Sequence, residues 1–195
     1  KDLSLVDKMI LNKLAFVLKE MKRGYDAYDF SLVTNTLTNF FVNDLSSFYL
    51  DFSKDTLYCD KKDSTRRRNT QYVLYTIVKS LAIAYSPILS FTCEEIYRTI
   101  EVKDRKKSVA LEDYPSRNAD EKLLKEYNEL VSLRGKVNAL IEPLRKDGKL
   151  GSSSEVQVTY LPKDEEEKNT LALFPEEELE RIFIVSGFEV GEKDE

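Results

Sequence analysis

The stretch NDLSSFYLDFSKDTLY, residues 43–58, combines four aromatic rings with three carboxylates and a single lysine. It is followed almost at once by KKDSTRRR, residues 61–68, the most basic part of the chain. Helical spacing places Phe48 and Phe52 on one face, which we expect to be buried, and Lys54 on an outward face. Such a pattern is typical of two arrangements, a helical-bundle core beside a solvated turn or a surface that holds an RNA backbone.

Apolar residues at helical spacing extend in both directions from this stretch, and they predict a chain that is mainly α-helical. A first helix is expected to be capped by Asp2 and to stop at Gly24, since glycine is the common residue just beyond a helix end. Asp29 is expected to cap the second helix, which reaches Tyr58. An interruption is expected at residues 43–46, where this helix bends and restarts.

Three more helical patterns follow the basic segment. The first is capped by Asp63 or Ser64 and is expected to end near Tyr85, just before a proline. Thr92 lies three residues before a glutamate, which is the spacing of a capping box, so another helix is expected to start there. A long helix is predicted over residues 119–146, with a proline in its last turns that kinks or ends it.

The period of the apolar residues changes after the long helix. Val158 and Tyr160 alternate with polar neighbours, which predicts a half-buried strand. A second strand is predicted within residues 183–190, and two acidic helices lie between the strands. We therefore predict a helical bundle over residues 1–148 and a small α/β subdomain over residues 149–195.

Composition excludes several classes of protein. The chain has 195 residues and a net charge of −5, which argues against a general nucleic-acid coat protein. It has no histidine, and Cys59 and Cys93 are far apart, so we expect neither a metal site nor a His-activated nucleophile. Both thiols are expected to be buried or half-buried. Because no glycine-rich phosphate loop is present either, we expect no catalytic residue and no cofactor within this chain.

No apolar segment is long enough to predict a membrane span, and no signal sequence opens the chain. The first residue is not methionine, and Leu3 already belongs to a helical pattern. We therefore expect a fragment of a longer cytoplasmic protein.

Three arginines, Arg66, Arg67 and Arg68, lie in the first turn of the third predicted helix. Exposed cations are unfavourable at that end of a helix by about 0.3–1 kcal/mol each. Two explanations stay open. The arginines contact a phosphate backbone, or they pair with a nearby aspartate, which could be Asp55, Asp60 or Asp63.

Several short motifs occur along these predicted helices and the turns between them. The motifs are Asp7 with Ile10-Leu11-Asn12-Lys13-Leu14, Asp44-Leu45-Ser46, Tyr49-Leu50-Asp51, Lys54-Asp55, Arg67-Arg68-Asn69-Thr70-Gln71, Ser90-Phe91-Thr92-Cys93-Glu94-Glu95-Ile96-Tyr97, and Leu150-Gly151-Ser152-Ser153. In order and spacing they resemble the anticodon-binding domain of isoleucyl-tRNA synthetases of class Ia. The resemblance covers nearly the whole chain, although no single motif is specific by itself.

The resemblance implies the anticodon-binding helical bundle of class Ia synthetases, followed by a small α/β junction subdomain. It implies a parent enzyme that uses ATP and Mg to attach isoleucine to tRNA, and whose catalytic and editing domains are absent from this sequence. The implied partners are the anticodon stem and loop of tRNA and the catalytic domain of the parent, and we expect a monomer. The equivalent domains of valyl-, leucyl- and methionyl-tRNA synthetases stay open as alternatives.

The residues implied as tRNA contacts are mostly basic and surround the turn before the third helix. They are Lys54, Tyr58, Lys61, Lys62, Arg66, Arg67, Arg68 and Gln71, with Arg134, Arg145 and Lys149 as further candidates. The cations would contact phosphates, and Tyr58 would stack on an unpaired base. Thr56 stands where the family usually has arginine, which weakens the expectation of a phosphate clamp. Core packing of the aromatic residues and solvation of the basic ones stay open.

A different class of function also stays open. A helical protein-interaction or scaffolding domain would share the composition and the helical pattern. Such a domain would present an exposed apolar groove, and tRNA would not change its stability.

Overall fold

The structure, a computed structural model, describes residues 2–148, 150–152 and 155–191, and it is mainly helical, as predicted. The α-helices are α1 (Leu5–Asp26), α2 (Phe30–Asn39), α3 (Leu50–Cys59), α4 (Thr65–Tyr85), α5 (Ser90–Thr99), α6 (Glu121–Lys146), α7 (Glu165–Ala172) and α8 (Glu176–Phe183). A π-helical segment, Phe40–Tyr49, joins α2 to α3, and a 3₁₀ turn, Val109–Leu111, follows α5. The strands are β1 (Gln157–Tyr160) and β2 (Gly187–Val190).

These elements form two compact units, residues 1–121 and residues 122–195. The boundary predicted between residues 148 and 149 falls inside the second unit, and Lys149 lies outside the described residues. The predicted extent of the two domains therefore stays a prediction.

The first unit is a bundle in which α1 packs against both α2 and α4. Its core contains three of the four aromatic residues of the stretch 43–58, namely Phe48, Tyr49 and Phe52. Phe48 and Phe52 are 1% and 3% exposed, as predicted, and their rings meet edge to face with centroids 5.3 Å apart. Tyr49 packs against Phe52 in the same geometry at 5.4 Å. Edge-to-face contacts of this kind stabilise a core by about 0.5–1.5 kcal/mol beyond the burial of area.

The helix that contains this stretch does not break at residues 43–46. It continues from Phe30 to Cys59, and the π-helical segment takes the place of the expected interruption. In a π-helix each N–H bonds to the carbonyl five residues earlier, as Leu50 does to Leu45, so the ladder widens without ending. The prediction of an irregularity here was confirmed, but the predicted restart was wrong.

Gly24 was expected to end α1, and this prediction was wrong. The helix continues to Asp26, and Gly24 is buried where α1 packs against α2. A Cβ atom at this position would lie 2.7 Å from Cγ2 of Val33 and 3.0 Å from the carbonyl oxygen of Asp29. The glycine therefore permits a close approach of two helices. The predicted cap of α2 is confirmed, because Asp29 accepts a hydrogen bond of 2.9 Å from Leu32 N–H.

The start of α5 also differs from its prediction. The helix begins at Ser90, after Leu89, so Thr92 lies inside the first turn and does not cap it. Glu94 bonds to the connector that follows α5: its Oε2 accepts hydrogen bonds of 2.8 Å from both Ser108 Oγ and Val109 N–H. These bonds, together with one from Arg98, lower the pKa of Glu94. Glu94, which belongs to one of the motifs that carry the resemblance, thus fixes the connector after α5.

The second unit contains the two strands predicted from sequence. β1 and β2 pair in parallel, with Val158 opposite Phe188, and α7 and α8 connect them. Glu167 of α7 joins three parts of this unit. Its carboxylate accepts hydrogen bonds from Lys136 on α6 at 2.5 Å, from Tyr160 on β1 at 3.0 Å and from Lys163 N–H at 2.7 Å. Burial raises the pKa of Glu167, but these donors outweigh burial and leave the pKa below its ordinary value.

The two cysteines differ in environment. Cys93 is buried, and burial raises the pKa of its thiol, whereas Cys59 is exposed at the end of α3, contrary to expectation. Among the described residues, no helix has both the length and the apolar character that a membrane span requires.

Candidate nucleic-acid interface

The candidate interface lies at the junction of α3 and α4. A short turn, residues 60–64, separates the two helices, and Ser64 caps α4 by accepting a hydrogen bond from Arg67 N–H. The sequence places five cations around this turn: Lys61, Lys62, Arg66, Arg67 and Arg68. We call these five residues the cationic turn. Together with Asp60 and its neighbours, part of it lines an open cleft of about 770 Å³.

Asp60 organises the cationic turn through four polar contacts. Its carboxylate accepts two hydrogen bonds from Arg66, from Nε at 2.8 Å and from Nη2 at 2.6 Å, and a third from Ser64 Oγ at 3.1 Å. Its main-chain carbonyl accepts a fourth, at 2.9 Å, from Nη1 of Arg67. The hydrogen bond to Asp60 raises the pKa of Arg66. The carboxylate of Asp60 thus offsets the unfavourable position of Arg66 in the first turn of a helix, and the carbonyl of the same residue accepts a hydrogen bond from Arg67.

The remaining cations of the turn point into solvent. Among the described residues, the side chains of Lys61 and Lys62 have no hydrogen-bond or ion-pair partner, and both are exposed. Arg68 is also exposed, and its Nη1 donates only a long bond of 3.3 Å to Oε1 of Gln71. Three charges are therefore available to an anion without the loss of an internal ion pair.

Further candidates flank the cationic turn along α3 and α4. Lys54 is exposed and forms an ion pair of 3.2 Å with Asp51, one turn earlier. Tyr58 lies in the last turn of α3 with 84% of its surface exposed, which leaves its ring open to stacking. Gln71 is exposed on the second turn of α4. All eight candidates from residues 54–71 thus lie on α3, on the first two turns of α4 or in the turn that joins these helices.

Thr56 does not belong to this surface. It is 1% exposed, and like Ser53, one turn before it, it faces the interior of the first unit. Thr56 itself is therefore not available to contact an anion at this surface. The expectation that threonine weakens the phosphate clamp stays a prediction.

The other three candidates lie in the second unit or outside the described residues. Arg134 of α6 is 3% exposed. Arg145, in the last turn of α6, is exposed and forms an ion pair of 2.9 Å with Glu142. Lys149 lies outside the described residues. None of these residues is part of the cationic turn, and their contact with RNA stays a prediction.

Many residues of the resemblance motifs are bonded inside the bundle. Tyr49 donates a buried hydrogen bond of 2.5 Å to Oδ1 of Asp7. Lys13 lies 3.8 Å from Asp44, and the side chains of both are largely buried. Asn12 exchanges two hydrogen bonds with the main chain of residue 120, of 2.8 and 2.7 Å. These motifs therefore specify the fold, whereas the exposed cations are available for function.

The first unit also has an apolar groove of about 540 Å³ between the π-helical segment, α4 and α5. Its lining is almost entirely apolar and includes the partly exposed Phe41, Val78 and Leu89. An exposed groove of this kind is what a protein-interaction domain was expected to show. No residue of the cationic turn lines this groove.

Comparison with known proteins identifies the family. The protein-family model described as the anticodon-binding domain of tRNA ligase matches residues 7–160 of this chain. The isoleucine–tRNA ligase of Thermotoga maritima is 37% identical over 185 residues, which cover 93% of this chain and 20% of that protein. Those of Prochlorococcus marinus strain MIT 9312 and Geobacillus thermodenitrificans are 36% and 35% identical, over 96% and 98% of this chain.

This chain thus spans about a fifth of the length of the curated relatives it matches. The family match runs from the first turn of α1 through α6 to the first strand, and it includes both the cationic turn and the motifs that build the core. It confirms the resemblance on which the sequence-based prediction rests. The chain belongs to the family of anticodon-binding domains of tRNA ligases.

Proposed function

We propose that this chain binds the anticodon arm of a tRNA, and that the cationic turn is its main phosphate-binding surface. The observation that carries this proposal is the exposure of Lys61, Lys62 and Arg68, none of which has an ion-pair partner in the part of the chain that the structure describes. Phosphate contacts supply most of the affinity of such interfaces and make it depend on salt. The family favours this function over a purely protein-binding one.

The proposed interaction has a polar and an aromatic component. The three exposed cations neutralise backbone phosphates, while Arg66 and Arg67 add donors at positions fixed by Asp60. Tyr58 supplies an exposed ring on which an unpaired base of the loop stacks, a contact worth about 1–3 kcal/mol. The overall charge of −5 repels RNA, so the binding surface is confined to the local basic cluster.

We further propose that the chain serves an isoleucine–tRNA ligase, as the names of its relatives indicate. The whole protein would attach isoleucine to tRNA as a cytoplasmic monomer, and ATP and Mg would be used in its catalytic domain. The part of this chain that the structure describes has no cluster of three or more residues that could hold a metal ion. The role we propose for this chain within that protein is to position the tRNA.

A charge-removal experiment tests the cationic turn. We expect the triple variant Lys61→Ala, Lys62→Ala and Arg68→Ala to bind an isoleucine-tRNA transcript at least ten-fold more weakly than the natural chain. The slope of log affinity against log salt concentration should become shallower by about 2–3, since each lost phosphate contact removes a little under one unit. Fluorescence anisotropy at several salt concentrations measures both quantities.

The matched control removes three exposed cations elsewhere in the first unit, with Lys19→Ala, Lys103→Ala and Lys107→Ala. It changes the net charge equally, so it corrects for long-range attraction. If the two triple variants lose the same affinity and the same salt dependence, the cationic turn is not the binding surface. Arg66 and Arg67 are left unchanged because their bonds to Asp60 also support the α3–α4 junction.

A further inference from the structure

The pairing of Arg66 with Asp60 leaves one edge of the arginine available. The carboxylate engages the edge formed by Nε and Nη2, in a bidentate arrangement with distances of 2.8 and 2.6 Å. A guanidinium group has a second edge, formed by Nη1 and Nη2, with further N–H donors in the same plane. Among the described residues no hydrogen bond involves Nη1 of Arg66, and 56% of the side chain is exposed.

The carboxylate of Asp60 is much less accessible than its partner. Its side chain is 14% exposed, and Ser64 Oγ donates a third bond to it from the N-cap of α4. The main-chain carbonyl of the same residue holds Nη1 of Arg67. Asp60 is therefore fixed from several directions and can orient an arginine, in contrast to a surface aspartate that moves with its partner.

We propose that Asp60 is a positioning residue for RNA, which fixes Arg66 so that the outer edge of its guanidinium receives a backbone phosphate. The inference rests on the proposed function and adds to it the residue that prepares the site. Arginine and phosphate match in a planar, bidentate geometry, and that match is lost if the guanidinium rotates. A carboxylate on one edge and a phosphate on the other share the planar group without competing for the same donors.

This arrangement predicts a change in RNA affinity that is opposite in sign to the change expected from net charge alone. Asp60→Asn makes the chain more positive by one unit, which by itself favours RNA. Loss of the fixed arginine has the contrary effect, because a mobile side chain must be ordered on binding. We expect Asp60→Asn to weaken binding of a hairpin RNA with the sequence of an isoleucine-tRNA anticodon arm by about five-fold, the size expected for immobilising one long side chain.

Asp51→Asn is the matched control. It adds the same charge on the neighbouring helix, where Asp51 pairs with Lys54, and it should leave hairpin binding unchanged or up to about two-fold tighter. A second background, Arg66→Lys, keeps the positive charge but removes the planar group. In that background we expect Asp60→Asn to change affinity by less than about two-fold, since there is no guanidinium left to orient.

The outcomes separate this inference from the proposed function. Tighter binding by Asp60→Asn, equal to that of Asp51→Asn, would show that Asp60 only competes with phosphate and would overturn the inference. Equal weakening in the natural and Arg66→Lys backgrounds would also overturn it, because Asp60 would then act only through the fold. The triple variant of Lys61, Lys62 and Arg68 reports on the proposed function alone, because it leaves the Asp60–Arg66 pair intact.

Discussion

At the scale of single residues, the bundle depends on polar bonds inside its core. Tyr49 is 1% exposed, and its hydroxyl donates to the carboxylate of Asp7, which is 6% exposed. A buried carboxylate that loses a donor has little access to water, so the loss is expensive. We expect Tyr49→Phe to lower the free energy of unfolding by about 1.5–3 kcal/mol, the range for hydrogen bonds to charged groups. Urea denaturation measures this difference.

The control for that substitution is Tyr58→Phe. It deletes the same hydroxyl from a ring that is 84% exposed, so we expect a change within about 0.5 kcal/mol. Equal effects of the two substitutions would show that the bond between Tyr49 and Asp7 contributes nothing specific.

Glu167 gives a residue-scale prediction for the second unit that depends on pH. Its folded pKa lies below the ordinary value of 4.5, so its contribution to stability is present above pH 4.5 and is lost as pH falls through the folded pKa. We expect Glu167→Gln to destabilise the protein by about 1.5–3 kcal/mol at neutral pH, and by progressively less below pH 4.5. Urea denaturation at several pH values measures the gap.

Glu166→Gln is the neighbouring control for this experiment. Glu166 pairs with Lys125 on the surface at 2.8 Å, and such exposed pairs contribute about 0–1 kcal/mol. The role assigned to the carboxylate would be contradicted if the difference in free energy of unfolding between the natural chain and Glu167→Gln stayed constant with pH.

At the scale of elements, two helix-interior glycines with opposite surroundings allow a paired test. Glycine to alanine in a helix normally stabilises it by about 1 kcal/mol. Gly135 of α6 has no atom within 4 Å of a new Cβ, so we expect this gain there. At Gly24 the Cβ would lie 2.7 Å from Val33, and we expect Gly24→Ala to destabilise by about 1–3 kcal/mol. Thermal unfolding of both variants compares the signs, and a stabilised Gly24→Ala variant would contradict the close approach of α1 and α2.

The same glycine illustrates how far sequence could predict the elements. Periodicity predicted that Phe52 of α3 is buried and that Val158 and Tyr160 of β1 are half-buried, because burial of one face is a local pattern. It could not distinguish a glycine that ends a helix from one that admits a neighbour, since only the position of Val33 in space separates the two. Thr92 was misplaced for a related reason: capping-box spacing is compatible with a helix that starts two residues earlier.

The candidate site, like the helices, could be predicted from the sequence only in part. The basic residues and Tyr58 were predicted from the sequence alone, since charge and position next to a helix start are visible there. Pairing of the arginines with Asp55, Asp60 or Asp63 was left open from the sequence. It could not be predicted that Asp60 bonds Arg66 through its side chain and Arg67 through its main chain. The burial of Thr56 could not be predicted from its type, as threonine is common both inside and outside.

At the scale of the whole molecule, the two units should respond differently to RNA. Hydrogen exchange followed by mass spectrometry, with and without saturating tRNA, compares them in one experiment. We expect slower exchange in peptides that cover residues 54–71, because bound RNA stabilises the native form and shields the α3–α4 junction. Slower exchange around Arg145 would be expected only if this candidate also contacts RNA. Protection confined to residues 122–195 would contradict the proposed surface.

The π-helical segment has a consequence for the direction in which the cationic turn points. Each residue advances an α-helix by about 100°, so a widened turn changes the angular phase of everything that follows it. Residues 40–49 therefore act as a fixed rotation between α2 and α3, and α3 carries that rotation over its ten residues, about 15 Å, to the turn. The direction in which Lys61 and Lys62 face an RNA therefore depends on a segment that contains neither residue. The same segment supplies Phe48 and Tyr49 to the core.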